Sequence, residues 1–191
     1  MRLICGKGYN SKGEYKTSKH GKRKTAYAAW YNMILRCYSP KYHKVQPTYI
    51  GCSVTNDWLD YQNFAEWYES HEFANLGYEL DKDLLVLSNK IYSPKTCCLI
   101  PKELNALLLS RGNDRGEHPV GVIFNNKSGR YHAQISLNGK RKHLGSFKTS
   151  NEAYQAYKAA KVSHVKERAL AWYPRIDKNV FDRLMVWEVE Q

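Results

Sequence analysis

No stretch of this chain is apolar for long enough to cross a bilayer as a helix, which takes about 20 such residues, so no membrane partner is expected. Met1 to Asn10 has no apolar core of the kind a secretory leader needs, which points to a cytoplasmic protein. Cysteine is scarce and badly placed for bridging. The five cysteines lie at 5, 37, 52, 97 and 98, an odd number with one adjacent pair, which argues against a disulfide framework. No Cys-x-x-Cys spacing occurs, so a zinc knuckle is not expected. Free thiols in a reducing cytosol are the plain reading. Acidic residues are nearly missing from residues 1–44, which hold the single Glu14 against eleven Lys and Arg. No internal repeat is visible.

What is present is basic and aromatic. The 191 residues are 42% hydrophobic, enough for one or two small domains with cores rather than a disordered chain. The net charge of +12 favours a polyanionic partner, because nucleic acid gains by releasing counterions to such a surface. The charge comes in blocks. Residues 45–83 carry eight Asp and Glu against Lys82 alone, and residues 116–170 carry ten Lys and Arg against three Glu. Residues 1–24, with four glycines among lysines and little to bury, read as a flexible basic arm ahead of an acidic and then a basic module.

Between these blocks the periodicity is legible. Tyr27, Trp30, Ile34 and Cys37 make a helical stripe over 25–38, with Tyr31 and Met33 beside it, and Ser39-Pro40 ends it. Cys52 to Thr55 reads as a short strand. Asn56 or Asp57 is expected to cap a helix in which Trp58, Tyr61, Phe64, Ala65 and Tyr68 recur. At this spacing Trp30, Trp58, Trp67 and Tyr68 read as core rather than stacking platforms. Leu80 to Leu87 is strand-like, Ser93-Pro94 is a helix start, and Pro101 to Leu109 is a further helix. Residues 110–118 form the best linker, and 170–191 a tail apolar enough to pack.

Residues 119–169 can be resolved face by face. Asn138-Gly139 lies between two strand-like runs and is the strongest two-residue hairpin signal. That turn sets Leu137 opposite Lys140, Ser136 opposite Arg141, Gln134 opposite His143 and His132 opposite Gly145. Alternation then gives one face to Tyr131, Ala133, Ile135, Leu137 and Leu144, with the stems of Lys140 and Lys142. The other face shows His132, Gln134, Ser136, Arg141 and His143. A preceding strand, Val120 to Asn125, adds Ile123 and Asn125 to the polar face and Val122 and Phe124 to the core side. Thr149 with Glu152 is a capping box. Ala153, Ala156, Tyr157, Ala160 and Val165 continue as a helix that can lie close on the sheet.

The motifs Gly-Val-Ile-Phe, Gly-Arg-Tyr-His-Ala-Gln-Ile and Lys-His-Leu-Gly-Ser-Phe-Lys-Thr, with the Glu-Ala-x-x-Ala-Tyr helix, resemble the DNA-binding domain of plant Apetala-2/ethylene-response factors (ERF). The resemblance covers residues 119–169. It implies a three-stranded antiparallel sheet backed by one helix and laid in the major groove of double-stranded DNA. By position the DNA-binding residues would be Ile123, Asn125, Lys127, Gln134, Ser136, Arg141 and His143. Plant domains carry several arginines and tryptophans there, and only Arg141 keeps the type.

The first half bears a second resemblance. Trp-x-x-Met-x-x-Arg-Cys-Tyr at 30–38, Gly-Cys-x-Val-x-x-x-Trp at 51–58, and Leu-Asp-Lys at 80–82 leading to Tyr-Ser-Pro-x-Thr-Cys at 92–97 resemble HNH nucleases of phages and mobile elements, which often carry an ERF-like domain behind the nuclease. The resemblance implies a ββα-metal module over 25–109 and a divalent ion, Mg²⁺ or Mn²⁺, held by Asp81 and Thr96, with Asn89 as the middle Asn that holds the loop. The catalytic set would be Asp81, Lys82, Asn89 and Thr96. Lys82 stands where the family has its general-base His, and a protonated lysine is a poor base at neutral pH. Three readings stay open for this segment. It is a nuclease using another base, such as His71 or a metal-bound hydroxide; or a nuclease-derived module that only binds DNA or dimerises; or a structural Asp-Lys-Asp cluster.

The expectation is therefore an α+β protein with a basic arm (1–24), an HNH-like module (25–109), a linker (110–118), an ERF-like domain (119–169) and a C-terminal tail (170–191). Its expected role is sequence-directed DNA binding of the homing-endonuclease kind. The alternatives are a non-catalytic, transcription-factor-like regulator, and a protein that engages another protein through its acidic half, against which the basic second domain argues.

Overall fold

The computed structural model describes residues 3–109, 117–137 and 139–189. It is an α+β chain that divides into two compact units, Met1–Asn105 with Pro174–Val180, and Ala106–Tyr173 with Phe181–Gln191.

The first unit begins with a short antiparallel hairpin, β1 (Ser18–Lys19) and β2 (Lys22–Arg23). Helices α1 (Thr25–Tyr38) and α2 (Pro40–Val45) follow. Strand β3 (Ser53–Val54), a 3-10 turn over Asn56–Leu59 and helix α3 (Tyr61–Ser70) come next. Strands β4 (Glu79–Asp81), β5 (Ile91–Tyr92) and β6 (Cys98–Ile100) complete it, ahead of α4 (Lys102–Leu108). β3 runs parallel to β5, and β4 antiparallel to β6. The core between α1 and α3 is aromatic. Trp30, Trp58, Tyr61, Phe64 and Tyr68 are all essentially inaccessible, as the helical spacing anticipated. The Trp30 indole N–H donates to the Trp58 carbonyl at 2.8 Å, the usual fate of a buried indole N–H.

Four expectations are corrected here. Residues 3–24 are not a flexible arm. Tyr9 bridges Asp60, the Tyr15 amide donates to Gln62 Oε1, the Tyr61 hydroxyl donates to the Lys16 carbonyl, and Gly8 lies so close to Ile34 that a Cβ there would sit 2.9 Å from it. Backbone groups, which composition does not reveal, hold this segment down. The cap of α3 is Asp60, which accepts from the Gln62 amide, because Asn56 and Asp57 belong to the separate 3-10 turn. The strand expected over Leu80–Leu87 stops at Asp81, whose side chain turns the chain by accepting two backbone amides. The Ser93-Pro94 helix is a single turn, because Cys98–Ile100 gain more by pairing with β4 in the register Asp81 to Cys98.

The second unit holds the antiparallel sheet β7 (Val122–Asn125), β8 (Arg130–Leu137) and β9 (Lys140–Phe147), packed on α5 (Ser150–Trp172). Asn138, the first residue of the expected turn, and residues 110–116 of the expected linker lie outside the described residues. Helix α5 starts with the anticipated capping box between Thr149 and Glu152. It runs past Ala169 to Trp172, and α6 (Lys178–Met185) follows. In the described part of the expected tail, 170–189, Ile176, Val180 and Leu184 are buried.

Candidate nucleic-acid interface

The sheet of the second unit has one buried and one open face. Val122, Ala133 and Ala153 make the centre of the buried side, with Tyr131, Leu144, Phe147, Tyr154 and Ala156 packed around them. Gly121 lies beneath the Tyr157 ring, where a Cβ would fall 2.1 Å from it. Small residues at this seam let the helix close on the sheet.

The open face follows from the register. Ile123 pairs with His132, Asn125 with Arg130, Gln134 with His143 and Ser136 with Arg141. A bulge at Ala133/Gln134 shifts β9 by one residue. His132 therefore faces Ser146 instead of the expected Gly145, and Leu144 is the extra residue. The bulge restores the inside–outside alternation on both sides of itself, so Leu144 stays on the helix side, as anticipated, and Ser146 joins the open face. Such a bulge also sharpens the local twist.

Six of the seven residues implied for DNA contact, all except Lys127, lie on this open face. Ile123, Ser136, Arg141 and His143 are exposed, and Asn125 and Gln134 half-exposed. Lys127 is exposed in the turn between β7 and β8, where Asn125 Oδ1 accepts the Lys127 and Ser128 amides. The His132 and His143 rings meet edge to face, 5.2 Å apart. Sequence reasoning missed Arg130, which shares the face through its pairing with Asn125 and donates to the Ser146 carbonyl at 3.3 Å. Strand alternation back from His132 could have found it. The acids of residues 116–170 are only Glu117, Glu152 and Glu167, and none lies in β7, β8 or β9. β7 pairs only with Arg130–Ala133 of β8. Beyond that point β8 and β9 continue as a two-stranded ribbon, on which Gln134, Ser136, Arg141 and His143 sit.

In the first unit, the residues implied for catalysis do come together, but as a loop clamp. Asp81 Oδ1 accepts the backbone amides of Asp83 and Leu84 at 2.8 and 2.7 Å. Asn89 spans the loop, donating to the Lys82 and Ile91 carbonyls and accepting from the Ile91 amide. Lys82 is buried, with its ammonium donating to Asp83 and to the Asn89 carbonyl, over the Tyr92 ring. The Thr96 hydroxyl donates to the Ile91 carbonyl and shares a hydrogen bond with Ser93. Burial holds the Asp81 carboxyl above the usual carboxylate range, against the pull of its two amide bonds. His71 caps the end of α3 with its ring against Trp67.

The two residues implied as ligands of a divalent metal, Asp81 and Thr96, both bond to the loop. Among the described residues no group of three or more His, Cys, Asp or Glu side chains converges as a metal site. Of the two implied ligands, one carboxylate oxygen of Asp81 and the hydroxyl of Thr96 are already committed to holding the loop. The helix that would present Thr96 in a ββα site is a single turn. Among the described residues, no helix is long and apolar enough to cross a membrane. Comparison with protein-family models, curated proteins and solved structures gives no match to this chain.

Proposed function

We propose that the chain is a sequence-directed, double-stranded-DNA-binding protein whose ERF-like sheet reads the major groove, and whose HNH-like segment serves as a structural module without cutting. The observation that carries this reading is the open sheet face. It is free of acidic residues, and its outer part is a two-stranded ribbon bearing Gln134, Ser136, Arg141 and His143. The major groove admits a two-stranded ribbon, and these side chains are suited to base edges: arginine to guanine, glutamine to adenine, serine to either. Exposed Lys127 and Arg130 at the ribbon's base would meet phosphates, which position the protein without reading sequence.

The test is selection of binding sites from a random duplex pool, followed by the Arg141→Ala variant. Loss of one bidentate base contact weakens binding to the selected site by about 1–3 kcal/mol and relaxes preference at one base pair. Unchanged affinity at fixed salt removes the reading.

One observation favours the endonuclease as a second reading: Asn89 ties Lys82 to Ile91 across the loop, as the middle Asn of an HNH site would. Incubating plasmid with the protein and Mg²⁺ or Mn²⁺, beside Asp81→Ala, separates the two. Binding without cleavage supports the first reading. Metal-dependent cleavage that is lost in the variant supports the second.

A further inference from the structure

The hairpin at Ser18–Arg23 gathers like charges at a tight turn. His20 and Gly21 both have positive φ, 50° and 74°, the two-residue turn that suits a tight hairpin. Glycine adopts this conformation freely, and histidine is among the few other residue types enriched in it. The turn sets Lys19 directly opposite Lys22, and like charges in that position repel. Lys19, His20, Lys22 and Arg23 are all exposed. The four residues of the two strands are all exposed.

The hairpin is nonetheless fixed at its base. The Lys24 amide donates to the Thr17 carbonyl at 3.0 Å, and the Tyr61 hydroxyl holds the Lys16 carbonyl at 3.1 Å. The Arg23 guanidinium lies over the Tyr31 and Tyr27 rings, 4.9 and 5.6 Å from their centres. Stacking immobilises the guanidinium plane and leaves its edge N–H groups able to bond an oxyanion. Among the described residues of this segment the one ion pair is Lys24 with Glu69, at 4.0 Å. Lys19, Lys22 and Arg23 thus present charge on an anchored mount.

We infer that this hairpin is a second contact to DNA, gripping phosphates of the backbone rather than reading bases. The inference rests on the DNA-binding reading above. Phosphate is the fitting partner because it calls for charge alone. A protein interface would need an apolar or aromatic centre, and β1 and β2 offer none. Binding DNA would relieve the Lys19–Lys22 repulsion, so the cost carried by the free protein is recovered in the complex.

The experiment uses the full chain and fluorescent duplex DNA, with equilibrium affinity followed across a salt series. The variants are Lys19→Gln alone and Lys19→Gln, Lys22→Gln and Arg23→Gln together, each checked for a retained fold by circular dichroism. Each lost phosphate contact lowers the slope of log affinity against log salt by about 0.9. The single variant is expected to lower it by about 1 and the triple by about 2–3, with equal loss on selected and random duplexes. A triple variant with the wild-type slope overturns the inference. If Arg141→Ala still loses site preference in that case, the sheet reading survives and only the hairpin fails. If the hairpin variants lower the slope while Arg141→Ala changes nothing, the hairpin stands and the sheet reading fails. Absence of any duplex binding by the wild type removes both. Hairpin-dependent binding of polyglutamate, with a DNA slope that ignores the hairpin, assigns it to an acidic protein and overturns the DNA contact.

Discussion

Asp81, expected from the sequence as a metal ligand, turns the chain at the end of β4, where its Oδ1 atom accepts two backbone amides. Burial raises its pKa in the fold above the unfolded value of about 3.9. The sign follows: stability from this group is present below the unfolded pKa and is lost as pH rises through the higher folded one. As pH rises, the fold therefore loses the stability that the neutral Asp81 side chain contributes. Asparagine keeps the acceptor and drops the charge. Asp81→Asn should be at least as stable as wild type at pH 7 in urea unfolding, with the difference shrinking as the pH falls towards 3. A variant clearly weaker at pH 7 would mean that the charge itself has a partner. Asp81, Lys82, Asn89 and Thr96 were all legible as a cluster in the sequence. What was not legible is that their polar atoms are committed to backbone groups, because those partners exist only once the loop has closed.

The three-stranded sheet and its helix form the element most fully readable beforehand. Alternation, the Asn-Gly signal and the capping box are local rules, and local rules fixed faces, turn region and helix start. The bulge after Ala133 escaped because the glycine and the strands around it satisfy the regular pattern equally well; only pairing decides which residue is extra. The seam between β7 and α5 was also invisible. Gly121 has φ +80° and lies under the Tyr157 ring, whereas Gly129 has φ +64° and open space where a Cβ would stand, with nothing within 4 Å. Gly129→Ala should then cost only the backbone term, about 1–2 kcal/mol. Gly121→Ala should add overpacking, for a total of roughly 2–4 kcal/mol. Equal costs in thermal or urea unfolding would mean that the helix does not press on this glycine. In the first unit the same local rules misjudged β4, which the Asp81 side chain ends, and the Ser93-Pro94 turn, after which Cys98–Ile100 pair with Glu79–Asp81.

Across the whole molecule, the cysteines offer a direct test of the tertiary structure. All five are free; Cys5 is exposed and Cys37, Cys52, Cys97 and Cys98 are buried. Burial pushes the Cys37 and Cys97 thiols up to about 12 and raises Cys98 as well. Thiolate is the reactive form, so a thiol reagent at pH 8 should modify one cysteine quickly in the native protein and all five in denaturant. Rapid reaction of more than one native thiol, or loss of the fast phase other than by Cys5→Ser, would contradict this burial. The absence of a disulfide framework followed from cysteine number and spacing alone. The sequence by itself likewise determined the α+β class, the basic charge, the aromatic core helices and the two faces of the second sheet, because periodicity, turn chemistry and composition act over a few neighbouring residues. Only the tertiary structure decided that residues 3–24 are anchored, that Arg130 joins the open face beside a bulged strand, and that the Asp81 loop is clamped by its own polar groups. Each of these depends on backbone hydrogen bonds or strand pairing that joins segments apart in the chain, and no local pattern carries that information.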